Sequence, residues 1–135
     1  MSEAVEKAAE PEPIRVLAAV IRRGELFLLC RRPVHKRHGG MWEFPGGKLE
    51  RGESLLQAAQ REMLEELDAR AVSVGETLYV CSDPESPFVI EFVAVEIEGE
   101  PRALEHDDAR WVTLSDASGM ELAPADAAFV GWLAR

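Results

Sequence analysis

Read for its apolar and polar positions, the chain divides into blocks with different periods. Residues 14–21, "IRVLAAVI", form an apolar run rich in β-branched residues, and "GELFLLCRR" follows after a turn at Arg23 and Gly24. Such runs predict two buried strands. From Ser54 to Leu67 the period becomes helical: Leu56, Ala59, Met63 and Leu67 gather on one side, with Glu62, Glu65 and Glu66 beyond its edge. "ARAVSVGETLYVC" and "FVIEFVAVEI" predict two more strands around the turn-rich "SDPESP", and "ARWVTL" a short fifth. In "APADAAFVGWLAR" apolar residues recur at Ala127, Val130 and Leu133 behind Pro124, a residue favoured at the first helical position, so the chain is expected to close with a helix. Strand, strand, helix, three strands and a helix predict an α/β or α+β domain with a mixed sheet.

Composition narrows the class. At 135 residues, 47% hydrophobic and 30% charged, the chain predicts one globular domain over residues 14–135, preceded by a flexible acidic tail over residues 1–13. The net charge of −10 repels phosphate backbones, so no long nucleic acid is expected as a partner. The exception is "PVHKRHGG", residues 33–40, which predicts a mobile cationic loop. Cys30 and Cys81 sit apart in apolar runs and read as buried free thiols of a reducing compartment. With no apolar stretch of spanning length and no secretion signal at the start, the expected location is cytoplasmic, with no membrane partner.

The chemistry concentrates in "EFPGGKLERGESLLQAAQREMLEEL", residues 43–67. On a helix Glu62, Glu65 and Glu66 stand at i, i+3 and i+4, so their carboxylates emerge as neighbours. They form either a solvated acidic face or a divalent cation site, and oxygen ligands without His or Cys select magnesium, or manganese, over zinc.

Within that segment Gly47, five residues, Glu53, seven residues, Arg61–Glu62, Met63, one residue and Glu65–Glu66 stand in order. This spacing resembles the signature of the Nudix hydrolases, and the flanking "RRP", "GGMWEFPGGK" and "LAPAD" resemble the MutT branch, from Ile14 onward. The resemblance implies a mixed sheet sandwiched between helices and magnesium-dependent hydrolysis of a nucleoside triphosphate to monophosphate and pyrophosphate. Oxidised guanine nucleotides such as 8-oxo-dGTP are the implied substrates, with CTP or modified pyrimidine triphosphates as the alternative; a non-catalytic nucleotide-sensing module on the same fold is the alternative of another class. It further implies that Glu62, Glu65 and Glu66 hold the metal with the Gly46 carbonyl, that Glu53 sits near it, and that Arg61 pairs with a carboxylate to fix the loop. Glu105 would be a further ligand or the base that activates water, with Asp107 and Asp108 as neighbours able to compete. Arg32 and Lys48 would meet phosphate. Phe44, with Trp42, would line the base pocket or anchor the core, and Asp126 would read the base or serve only the helix end. The chain departs from the family pattern at Asp68, where a glycine is expected; Asp tolerates the left-handed backbone of a helix end better than most residues.

Overall fold

The unbroken apolar run at the start of the chain has a simple cause: the strand it forms is covered on both faces. The structure, a computed structural model, describes residues 12–82 and 84–135; of the expected tail, residues 1–11 lie outside them. The elements are β1 (Ile14–Val20), β2 (Arg22–Arg23), β3 (Leu26–Arg31), β4 (Trp42–Glu43), β5 (Gly46–Lys48), α1 (Leu55–Leu67), β6 (Arg70–Ser82), β7 (Phe88–Glu98), β8 (Asp108–Val112), α2 (Leu114–Ser118) and α3 (Pro124–Leu133). In β1, Leu17 and Ala19 belong to one buried cluster with Ala58, Ala59, Met63 and Leu67 of α1. Ala18 and Val20 belong to another with Phe92 of β7 and Phe129 and Val130 of α3. Alternate residues of a strand point to opposite faces, so two buried faces demand an apolar residue at every position.

The expected mixed sheet is present, with a second sheet beside it. The first has the order β5-β1-β7-β6, with β1 and β7 parallel and the outer pairs antiparallel. In the second, β3 pairs antiparallel with β2, β4 and β8. Helices on both faces complete the α+β sandwich.

Three expectations need correction. Glu62 and Glu66 are not beyond the edge of the α1 apolar stripe but inside it, buried with Ala58, Ala59, Met63 and Leu67, and it is Glu65 that faces outward. The inward stripe of α3 runs through Asp126, Phe129 and Val130, leaving Ala127 exposed. The strand read in "ARWVTL" stops at Val112, because the Thr113 hydroxyl accepts from Asp116 N–H, whose side chain answers in a capping box that starts α2.

Candidate active site

The site is built where α1 meets the glycine loop. Ser54 caps α1 through a reciprocal bond with Gln57, which sets the helix start. The end is set by Asp68, whose backbone sits at φ 51°, ψ 38° in the left-handed region, with its carboxylate 2.8 Å from Arg102 Nη2. The expectation for this position holds: Asp takes the conformation that glycine would.

Inside these limits one guanidinium organises the acids. Arg61 donates to both oxygens of Glu53 at 2.8 Å, to Glu62 Oε1 at 2.7 Å and to the Lys48 carbonyl at 3.0 Å. The forked geometry suits a bidentate pair, and it ties the loop before α1 to the helix. Glu53 also accepts the Glu50 N–H, and the Arg61 bond together with this one holds its carboxyl down to about 2. Arg61 thus joins Glu53 and the Lys48 carbonyl of the loop to α1.

Glu62 and Glu66 lie in hydrogen-bonding contact, 8% and 5% exposed. Burial first, then the Glu62 carboxyl, pushes the Glu66 pKa well above the usual carboxylate range, against the opposing bond from the Gly46 N–H at 3.3 Å. Two buried carboxyls in contact favour a shared proton or a cation between them. Gly47 lets the loop touch the acids, since a Cβ there would come within 2.5 Å of Glu62 Oε1 and force its carboxylate to shift. Gly46 is the more tightly constrained of the two: at φ 153°, an added Cβ would strike the Leu17 carbonyl, which belongs to the backbone. Glu65, half exposed, stands 3.8 Å from Arg61 Nη1. The structure thus brings together two of the three expected ligands and leaves the third outside, and among the described residues no three His, Cys, Asp or Glu side chains converge as a metal cage. The buried Glu62–Glu66 pair beside Gly46, with Glu65 on a long exposed side chain at its rim, suits a hard divalent cation.

Beside the acids opens a cleft of about 610 Å³, lined by Arg32, Glu43, Gly47, Lys48 and Asp126 among others, a size suited to a small-molecule ligand. Lys48 is exposed, with Nζ 4.9 Å from the Phe88 ring centre. Arg32 faces the cleft as expected, while its neighbour Arg31 packs its guanidinium over the Trp42 ring, 5.8 Å away. Asp126, 8% exposed, lines the cleft. One of its oxygens accepts the Phe44 N–H at 2.8 Å, and burial, outweighing that bond, raises its carboxyl to about 7.

The Phe44 ring does not line the cleft. It is 4% exposed and packs edge-on against Phe27, Phe92 and Phe129, and only its backbone reaches the site, through Asp126. Trp42 is likewise core. The expected mobile loop 33–40 is a series of hydrogen-bonded turns, closed by Gly40 N–H on the Arg32 carbonyl and by Arg32 Nε on the Arg37 carbonyl. Cys30 is buried, but Cys81 is only partly so and lies on the cleft wall.

A smaller cavity of about 90 Å³ adjoins the cleft, lined by Arg32, Glu43, Gly46, Glu66, Glu105 and His106 among others. Of the run 105–108, Glu105 reaches it, whereas Asp107 and Asp108 do not line it. Glu43 and His106 were not anticipated. Glu43 accepts from Arg32 Nη1 at 3.0 Å and from His106 Nε2 at 2.9 Å. Alternation carried a signal for Glu43, since Trp42 and Phe44 point into the core and the residue between them must point away. His106, one imidazole among acids, carried none.

The site is a buried acidic pair, one member of it held by Arg61, beside a glycine loop and an open cleft, with Glu65 outside rather than beside the other two. Residues 11–133 match the family model of the NUDIX domain. The chain is a Nudix hydrolase. Among relatives of this Nudix chain, the CTP pyrophosphohydrolase of Escherichia coli (strain K12) is 41% identical over 118 residues, covering 84% of this chain and 85% of the relative. The 8-oxo-dGTP diphosphatase of the same organism is 31% identical over 127 residues, covering 90% and 97%. The solution structure of the E. coli ORF135 protein superposes with a TM-score of 0.77 at 36% identity, covering 91% of this Nudix chain and 90% of that chain. Among the described residues of the Nudix domain no helix is long and apolar enough to cross a membrane.

Proposed function

We propose that this Nudix hydrolase splits a nucleoside triphosphate into the monophosphate and pyrophosphate with magnesium, or manganese, as cofactor. The observation that carries the reading is the position of Gly47, which lies against the Glu62 carboxylate and also lines the cleft that Asp126 lines. A triphosphate in the cleft would thus lie beside the buried acids, with Asp126 available to its base. Glu62, Glu65 and Glu66, with the Gly46 carbonyl, would hold the cation, which supplies Lewis acidity to phosphoryl oxygens and lowers the pKa of water.

The remaining roles belong to the chain's own groups. Arg61 keeps Glu62 and Glu53 in place from behind. Arg32 and Lys48 receive phosphate oxygens, the first as a fork and the second as a point charge. Glu105, on the small cavity next to Glu66, takes the proton of the attacking water. Asp126 accepts from the N–H edge of a guanine or the amino group of a cytosine. The CTP pyrophosphohydrolase relative, at 41% identity, supports a pyrimidine triphosphate, and the 8-oxo-dGTP diphosphatase at 31% supports an oxidised purine.

Pyrophosphate release from a panel of normal and oxidised nucleoside triphosphates, with and without magnesium, tests the reading. One or a few members should be hydrolysed, and only with the metal. Absence of magnesium-dependent release from every triphosphate tried would sink it.

A further inference from the structure

Four polar side chains, Arg32, Glu43, His106 and Glu66, line the small cavity. Arg32 and Glu43 also border the cleft. His106, its side chain only 8% exposed, meets Glu43 Oε2 through Nε2 at 2.9 Å and points Nδ1 toward Glu66 Oε1 at 3.8 Å. Nδ1 is fully buried without a hydrogen-bond partner. A buried polar atom in that condition is costly, and it persists where the surrounding structure holds it for a purpose. Here the surroundings do hold it: Leu104 N–H donates to the Glu66 carbonyl at 2.9 Å and Asp107 N–H to the Arg31 carbonyl at 3.0 Å, so the segment carrying His106 is tied to α1 on one side and β3 on the other.

We infer that His106 is a positioning residue joining the two ends of the site. Its Nε2 fixes Glu43, and through Glu43 the guanidinium of Arg32, for the nucleotide. As a donor, with a proton on both ring nitrogens, its Nδ1 fixes the direction of the Glu66 carboxylate for the cation. An imidazole anchored by one nitrogen presents the other in a set direction, and partners that hold a metal-binding carboxylate in this way tune its affinity. The gap to Glu66 is about 1 Å beyond a hydrogen bond, within reach of a small rotation of either side chain. The inference rests on the hydrolase reading above for its purpose, though not for its test.

Two amide substitutions separate the nitrogens. His106→Asn keeps a nitrogen near Nδ1 and loses the reach to Glu43, whereas His106→Gln keeps one near Nε2 and loses the side facing Glu66. Mn²⁺ affinity, measured by calorimetry without nucleotide, should weaken about 10- to 100-fold in His106→Gln and change little in His106→Asn. On the triphosphate that the wild type hydrolyses, His106→Asn should raise KM while His106→Gln lowers kcat. Equal effects of the two variants on both quantities, or no effect from either, would overturn the inference.

Should both variants fold poorly, nitrogen NMR of the unsubstituted protein decides. Magnesium should move the Nδ1 resonance of His106 more than its Nε2, and a ring that ignores the metal overturns the assignment. Wild-type protein that binds Mn²⁺ but hydrolyses no triphosphate defeats the hydrolase reading alone, leaving His106 to be judged on metal affinity. Wild-type protein that binds no Mn²⁺ defeats both.

Discussion

Asp126 and Glu66 are acids that the fold prefers neutral, and each gives a prediction of unusual sign. For Asp126 the folded carboxyl titrates at about 7 against an ordinary 3.8, chiefly through burial. A raised acid pKa means that its contribution to stability is intact below the unfolded value and lost as pH rises through the folded one. Asp126→Asn mimics the neutral acid and still accepts the Phe44 N–H. Its stability advantage over the wild type should therefore widen by about 2 kcal/mol between about pH 5 and 8 in urea titrations. The same variant should lose about tenfold or more in kcat/KM on the preferred nucleotide and little on a poor one, roughly 1.4 kcal/mol of base recognition. An equal small loss on all nucleotides would reduce Asp126 to a support for α3. Glu66→Gln removes the charge that burial disfavours, so in EDTA it should melt at or above the wild-type temperature. With magnesium it should lose turnover by thousands-fold, on the order of several kcal/mol of transition-state stabilisation. Comparable turnover at saturating magnesium would remove Glu66 from the cation site.

The loop of β5 and the helix α1 act as one unit because Gly47 lets them touch. With Glu62 held from the other side by Arg61 at 2.7 Å, a methyl group at residue 47 has to displace a carboxylate that is already bonded. Gly47→Ala should cost about 1–3 kcal/mol in chemical denaturation and should depress kcat by more than the fall in stability explains. Wild-type kcat in that variant would show that Glu62 can move without consequence. At the other end of α1, the left-handed Asp68 was legible in the sequence because it follows from a local rule about helix termination. The inward turn of Glu62 and Glu66 was not. Counting apolar residues assigns charged ones to the solvent side, yet these two are buried because the glycine loop packs over them, and the loop's position is fixed by pairing of β5 with β1.

Across the molecule, the cation reading makes stability depend on the metal. A ligand that binds only the folded state stabilises it by about 2.7 kcal/mol at one hundred times its Kd. Magnesium titration followed by thermal melting should raise the Tm of the wild type and leave that of Glu66→Gln unchanged. A wild-type Tm indifferent to magnesium and manganese alike would count against any cation bound to the folded form.

The outcome divides along the range of the forces involved. The long strands, the helices over 55–67 and 124–133, the αL turn at Asp68 and the family itself were readable from the chain, because periodicity, helix termination and motif spacing are short-range properties; the short strands β2, β4 and β5, the helix α2 and the choice of Glu53 as the partner of Arg61 were not. Phe44 and Trp42 could be read either as pocket walls or as core, and the packing of Phe44 against Phe27, Phe92 and Phe129 together with the burial of Trp42 resolves them as core. Glu43 and His106, 63 residues apart, become partners only because β4 and β8 flank β3 and bring the segment before β8 onto the end of α1. No local rule encodes that meeting. It depends on which strands pair and where the helix lies across them, and those are settled by burial of apolar surface over the entire domain.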